Sequence, residues 1–174
     1  YLQLVPGVKE QIKASEKTMY SRVVLGVKPD KAKELGWVSG KVTWKQVTAA
    51  ANAGKFRFAM TNPAGSNTGF VTLVGVASEF SGKGDALQEA DIPEGQLKEF
   101  FSGMSMSSGS SGDLAEQFKA NPQKADGIIN YESVVVGLSK NGLPLDVLVP
   151  KEGVVTADYP LMLLASAKQP FYAK

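Results

Sequence analysis

A chain of 174 residues with 19 basic and 17 acidic side chains carries a formal charge of +2. That length suffices for one domain with a real core, and a balance this even gives no electrostatic reason to expect nucleic acid. Cysteine and histidine are both missing, which excludes disulfides, thiol nucleophiles, Cys/His metal sites, histidine bases and the Ser-His-Asp triad.

Arg22 and Arg57 are the two arginines, so a bidentate phosphate clamp has few candidate members. Acid–base chemistry would fall to Asp, Glu, Lys or Tyr. A chain without cysteine fits the cytosol and equally fits many exported bacterial proteins. No apolar run approaches the roughly 18 residues of a membrane span. The longest, residues 161–165, reads as a buried strand. The chain opens at Tyr1 rather than methionine and reads as a processed or excised piece. A missing signal peptide therefore says little about localisation.

In chain order, residues 5–19, "VPGVKEQIKASEKTM", mix Lys and Glu with Val8, Ile12 and Met19 and are predicted to form a surface helix. "RVVLGV" (22–27) is a β-branched run ending before Pro29, a buried strand. "PDKAKELG" (29–36) opens on Pro and closes on Gly, a short helix. In "VTWKQVTAAANAG" (42–54), Thr43 is the N-cap candidate and Gly54 the C-cap, with Trp44, Val47 and Ala51 on one face. "KFRFAM" (55–60) alternates like a strand. From Ser66 to Phe80, apolar residues at 70, 73, 74 and 77 have helical spacing.

Residues 81–92 read as a loop holding at most a short helix, and "PEGQLKEFFSG" (93–103) as another short helix. "MSMSSGSSG" (104–112) is low in complexity and reads as flexible. A helix over 113–122 stops at Pro122, a strand covers 126–131, a helix covers 132–142, and two strands fill 144–165. Strands alternating with helices argue an α/β protein with a mostly parallel sheet and helices on both faces.

Three strand-to-helix junctions gather small polar residues: "NPAGSNT" (62–68), "SSGSSGD" (107–113) and "NYES" (130–133). In an open parallel sheet, ligands bind beyond the carboxyl ends of the strands. Helices begin at that edge with unsatisfied N–H groups that suit an oxygen-rich ligand. Taken singly, each junction is accounted for by N-capping, which Ser, Thr, Asn and Asp do best. Tyr131 alone fits an aromatic at the core edge with its hydroxyl outside. Recurrence at successive strand ends is what favours a site.

Other chemistry finds less support. "GSNTG" is followed by Phe70 where a P-loop needs Lys. Asp113, Asp126 and Glu132 show no spacing that singles them out, and solvated carboxylates account for them. Trp37 and Trp44 read as core or lobe surface. With no histidine, cysteine or metal cluster, an enzyme is not expected, and neither is a cofactor.

The segments "SRVVLGVKPDKAKELGW", "VTWKQVTAAANAGKFRFAMTNPAGSNTGF" and "ADGIINYESVVVGLSKNG", with "DYPLMLL" behind them, cover most of residues 21–164. Together they resemble the type II periplasmic solute-binding proteins. The likeness is to the bacterial extracellular branch sometimes joined to a von Willebrand A domain. "NPAGSNTG" is their most specific step, similar to the equivalent step in molybdate-type binding proteins.

The resemblance implies a three-layer α/β/α lobe. Residues 28–140 would form mainly the second lobe. Residues 1–27 and 141–174 would supply the crossing segments and remnants of a first lobe, most of which is not in this chain. "RVVLGV" and "PLDVLVP" would cross between lobes. Arg22 departs from the family's usual proline.

Carried over by position, ligand contacts would fall on Ser66 and Asn67, on Ser110 and Ser111, and on Tyr131 and Glu132. The ligand would be a small polar solute or an oxyanion. The hydroxyls and amides favour an oxyanion, and the Glu132 carboxylate opposes one. The implied location is extracytoplasmic, periplasmic or at the cell surface, with a lipid anchor among the forms implied. A membrane transporter is the implied partner. The alternative is a non-transport interaction module that keeps this fold as a scaffold on a cell-surface protein, with a von Willebrand A domain in the same protein.

Overall fold

Residues 23–27, at the end of a long strand, are all buried, as expected of a strand covered on both faces. In the computed structural model, which describes residue 7, residues 9–152, residue 154 and residues 156–166, this strand is β1 (Ile12–Val27). Contacts divide the chain into two units, Arg22–Thr156 and Tyr1–Ser21 with Ala157–Lys174.

In the larger unit, β1 pairs antiparallel with β4 (Gly127–Tyr131) and with β5 (Asp146–Leu148). β4 pairs parallel with β2 (Phe58–Thr61), and β2 pairs parallel with β3 (Met104–Ser108). The order is β3-β2-β4-β1-β5. The expectation of a mostly parallel sheet therefore holds only across β3-β2-β4, and β1 makes the sheet mixed.

Period-two alternation sorts the strand residues between two cores. Val23, Leu25, Val27, Phe58, Met60 and Ile129 face one side. There they meet α1 (Pro29–Leu35), α2 (Trp44–Asn52), α3 (Asn67–Ser81) and α4 (Glu94–Phe101) through Ala32, Val47, Val76 and Phe100. Val24, Ala59 and Ile128 face the other side. They meet Leu114 and Phe118 of α5 (Ser111–Ala120) and Val135 of α6 (Glu132–Lys140). Helices thus cover both faces of one sheet, the α/β/α lobe the sequence implied. Trp37 and Trp44 are both core residues, edge-on to Phe56 and Phe100.

Local signals place the helices well. Pro29 opens α1, and Gly36 ends it in the left-handed region. Thr43 and Gln46 form a reciprocal capping box on α2. The C-cap of α2 is Ala53, and Gly54 follows it at φ 67°.

Three expectations change. The segment 5–19 is not a helix: a 3-10 turn at Lys9–Gln11 leads into β1, while residues 5, 6 and 8 lie outside the described residues. In the smaller unit, β1 pairs with β6 (Thr156–Leu164). There the Thr18 hydroxyl donates to the Tyr159 carbonyl at 2.8 Å, and Ala165 N–H donates to the Gln11 carbonyl at 2.7 Å. A pairing partner far along the chain overrides the local pattern.

The segment 104–112 is not a flexible run. Met104–Ser108 is a strand, and α5 begins at Ser111. The expected strand over 55–60 is displaced to Phe58–Thr61. The helical spacing from Ser66 is borne out as α3. Of residues 70, 73, 74 and 77 only Ala77 is buried, with Thr68, Gly69, Thr72 and Val76 beside it, and Phe70 is 55 % exposed.

Gly69 explains that choice. A Cβ there would collide with the Thr61 carbonyl oxygen and stand 2.9 Å from the Asn62 carbonyl carbon and the Pro63 nitrogen. The first turn of α3 therefore lies directly on the backbone of the β2–α3 turn. Gly69→Ala should destabilise the protein by about 1–3 kcal/mol through overpacking against rigid backbone. Gly75→Ala in the same helix meets nothing nearer than Trp44 Nε1 at 4.0 Å, and should be neutral or stabilising by up to ~1 kcal/mol. Urea unfolding of the two variants checks the contrast.

Candidate functional site

The parallel strands β3, β2 and β4 are neighbours, and each ends where α5, α3 or α6 begins. Their junctions consequently share one sheet edge. At the first, Asn62 makes the turn: its carbonyl accepts the Gly65 and Ser66 N–H groups at 3.1 and 3.0 Å. Its Oδ1 also accepts the Ala64 N–H at 2.9 Å. Asn62 N–H reaches across to the Ser108 carbonyl at 2.9 Å, tying this junction to the end of β3.

Ser66 occupies the N-cap position of α3, but its hydroxyl makes no capping hydrogen bond. Capping thus does not explain it. Ser110, by contrast, is a true cap of α5, accepting the Asp113 N–H at 3.1 Å.

Hydrogen bonds knit the three junctions together. Asn67 Nδ2 donates to Tyr131 Oη at 3.1 Å, joining α3 to the end of β4. The Thr68 and Ser111 hydroxyls lie 2.6 Å apart, joining α3 to α5. Asn130 Nδ2 donates to the Ser111 carbonyl at 2.9 Å, while its Oδ1 accepts the Tyr131 N–H at 2.8 Å. Four of the six candidates thus fall in or beside this network: Ser66, Asn67, Ser111 and Tyr131. Ser110 serves as a cap, and Glu132 lies in an ion pair.

Thr68 and Asn130, which hold the network from beneath, lie in the junctions the sequence marked but are not among its six candidate contacts. Thr68 is 1 % exposed and Asn130 is wholly buried. An asparagine inside the apolar run "GIINY" is the signal that could have found the second, because a buried amide requires partners. Thr61, which ends β2, is likewise fully buried, and its hydroxyl has no hydrogen-bond partner among the described residues.

Glu132, the first residue of α6, receives both arms of Arg22: Nε to Oε2 at 2.7 Å and a terminal nitrogen to Oε1 at 2.7 Å. Antiparallel pairing sets this up, because Val23 of β1 lies opposite Tyr131 of β4. The Arg22 guanidinium, chiefly through these hydrogen bonds, holds the Glu132 carboxyl below its usual value, against the upward push of burial. The negative charge that opposed an anionic ligand is therefore already matched by a positive one.

A groove of about 720 Å³ runs along α2 and α3, lined by Trp44, Val74, Ser78, Glu79, Leu87 and Glu152. It shares no residue with the junctions. Its carboxylates have structural partners: Glu79 pairs with Lys45 at 3.0 Å, and Glu152 accepts the Trp44 N–H at 3.3 Å. The convergent polar groups lie at the sheet edge instead. Among the described residues no cluster of acidic side chains could hold a metal ion, and no helix is long and apolar enough to cross a membrane.

A model of the bacterial extracellular solute-binding protein family matches residues 7–174. The chain belongs to that family. No curated protein matches it. Among solved structures, it is similar to a protein from Bordetella parapertussis assigned as an extracellular solute-binding protein, with a TM-score of 0.66 at 16 % identity, over 87 % of this chain and 45 % of that one. It is also similar to the sulfate-binding protein SubI from Mycobacterium tuberculosis, with a TM-score of 0.64 at 15 % identity, over 87 % and 47 %. A third is the periplasmic binding protein AfuA from Actinobacillus pleuropneumoniae, solved with fructose-6-phosphate, with a TM-score of 0.60 at 17 % identity, over 92 % and 50 %. At such identities the likeness is one of fold. The chain spans about half the length of the structures it matches.

Because the Glu132 pKa is lowered on folding, its ionised form stabilises the native state. That contribution is present above the unfolded-state pKa and is lost as pH falls through the lower folded-state value. Wild type should therefore exceed Glu132→Gln in stability at neutral pH by a small margin, as expected of a half-exposed pair. The margin should vanish in acid. Chemical unfolding of both proteins across the carboxylate range measures it.

Proposed function

We propose that this chain is the solute-binding lobe of an extracytoplasmic transport receptor, and that it holds a small polar solute at the converging starts of α3, α5 and α6. The carrying observation is the hydrogen-bonded union of three junctions at one sheet edge, through Asn67 with Tyr131 and Thr68 with Ser111. Membership of a bacterial extracellular solute-binding family supports the location and the general role. A membrane transporter is the natural partner of such a lobe.

Hydrogen-bond valence favours an acceptor-rich solute. The Thr68 and Ser111 hydroxyls share one hydrogen bond in which either can donate; with Thr68 as the donor, the Ser111 O–H is left to donate to a solute. Asn67 uses one amide hydrogen on Tyr131 and has a second. Ser66 contributes a hydroxyl not engaged in capping. The first-turn N–H groups of α3, which lack a side-chain cap, point the same way. The sulfate and sugar-phosphate named for the two binding-protein neighbours are solutes of this acceptor-rich class.

Calorimetric titration of the full-length protein with oxyanions, sugar phosphates, sugars and amino acids tests the reading, beside native mass spectrometry of the protein as isolated. Saturable binding is expected. Asn67→Ala and Ser111→Ala should each weaken it about tenfold, the worth of one hydrogen bond, with unfolding cooperativity retained. A protein that carries no small molecule and binds none of these solutes would sink the proposal.

A further inference from the structure

The ion pair at the rim of this edge has a geometry that would serve a ligand contact as well as a structural brace. Arg22 presents its fork to Glu132 through two parallel bonds of 2.7 Å, the arrangement a guanidinium also makes with a free carboxylate, sulfate or phosphate. The Arg22 side chain is 44 % exposed and that of Glu132 34 % exposed. A pair this open to water adds little to stability, and breaking it costs little. Glu132 is also not stranded when Arg22 leaves. It occupies the first position of α6, where the helix dipole favours a carboxylate and water reaches it.

The position of the pair ties it to the solute edge. Glu132 directly follows Tyr131, whose hydroxyl accepts from Asn67. Arg22 precedes Val23, which lies opposite Tyr131 across the ladder. The cation thus lies at the same sheet edge as Tyr131, the partner of Asn67. Donors alone would serve a neutral sugar as well as an anion, whereas a forked cation beside them selects for charge.

Resting on the solute-binding reading of the same edge, we infer that Glu132 is a built-in stand-in for the solute's anionic group. It occupies the Arg22 fork in the empty protein and yields it to a solute bearing a carboxylate, sulfate or phosphate. Glu132 is then a specificity-determining residue that competes with the ligand, and Arg22 is the residue that contacts it. The competition sets a threshold: a neutral solute cannot displace the carboxylate, and a weakly held anion does not.

The test titrates sulfate, inorganic phosphate and glutarate, with glucose as the uncharged control, into wild type, Glu132→Gln, Arg22→Gln and Arg22→Lys. At least one anion should bind wild type. Glu132→Gln should bind it about threefold to tenfold more tightly, since the competitor and its repulsion are gone. Arg22→Gln should lose about tenfold or more, and Arg22→Lys should recover only part of that, because it keeps the charge without the fork. Glucose should respond to neither position.

If an anion binds and Asn67→Ala weakens it, yet Glu132→Gln binds it no more tightly, the pair is only a brace. The inference then falls while the solute-binding reading stands. It falls in the same way if glucose binds in an Asn67-dependent manner and no anion does. Failure of every solute in every variant overturns both. Thermal unfolding of each variant separates loss of binding from loss of fold.

Discussion

The seat of α3 on the backbone of the turn before it is the contact on which the candidate site depends. At Gly69 the helix approaches the Thr61 carbonyl and the Asn62–Pro63 peptide more closely than any side chain would permit. That approach sets the height and rotation of the first helical turn. Asn67 and Thr68, the two residues before the glycine, then fall level with Tyr131 and Ser111 on the neighbouring junctions. Phe70, the first large apolar residue of α3, does not govern its seating and remains more than half exposed, while Val76 packs in the core. A helix anchored by its small residues places its polar first turn instead of its greasiest face.

A second constraint comes from the direction of β1. Were it parallel to β4, the far end of the strand, Val27, would lie beside Tyr131. Antiparallel pairing instead puts Val23 there, and brings Arg22 to the edge where α6 begins. The departure from an all-parallel sheet is thus the reason a cation meets Glu132 at all. Topology here delivers a charge that no local motif encodes, since the two partners lie 110 residues apart in sequence.

This separation also defines what could be read from the chain alone. Elements whose signals are local were legible: α1 between Pro29 and Gly36, α2 behind its Thr43 cap, and the buried run of residues 23–27. The three junctions were legible as turns, because Ser, Thr, Asn and Gly announce turns wherever they gather. Their adjacency was not, because it follows from the strand order β3-β2-β4, which no single segment carries. The serine-rich stretch at 104–108 became a strand because β2 lies alongside to pair with it. The segment expected as a surface helix became a strand because β6, far along the chain, pairs with it. In both cases composition described the side chains correctly and the backbone took its conformation from a distant partner.

The network itself bears on how such a site can discriminate. Asn130 and Thr68 are buried, and each commits its polar atoms to the exposed or half-exposed groups above. Tyr131 and Ser111 are therefore held by partners whose own movement would leave a buried amide or hydroxyl unsatisfied, which costs about 1–3 kcal/mol. Groups held in this way before any solute arrives would leave little ordering to be done on binding at the proposed site. The ion pair above them is the opposite case: half exposed, long-chained and weakly held. A buried floor of hydrogen bonds beneath a partly exposed ion pair would, in the proposed site, separate two tasks. The floor would fix where an oxygen-rich group sits, and the charge would decide whether that group must be an anion.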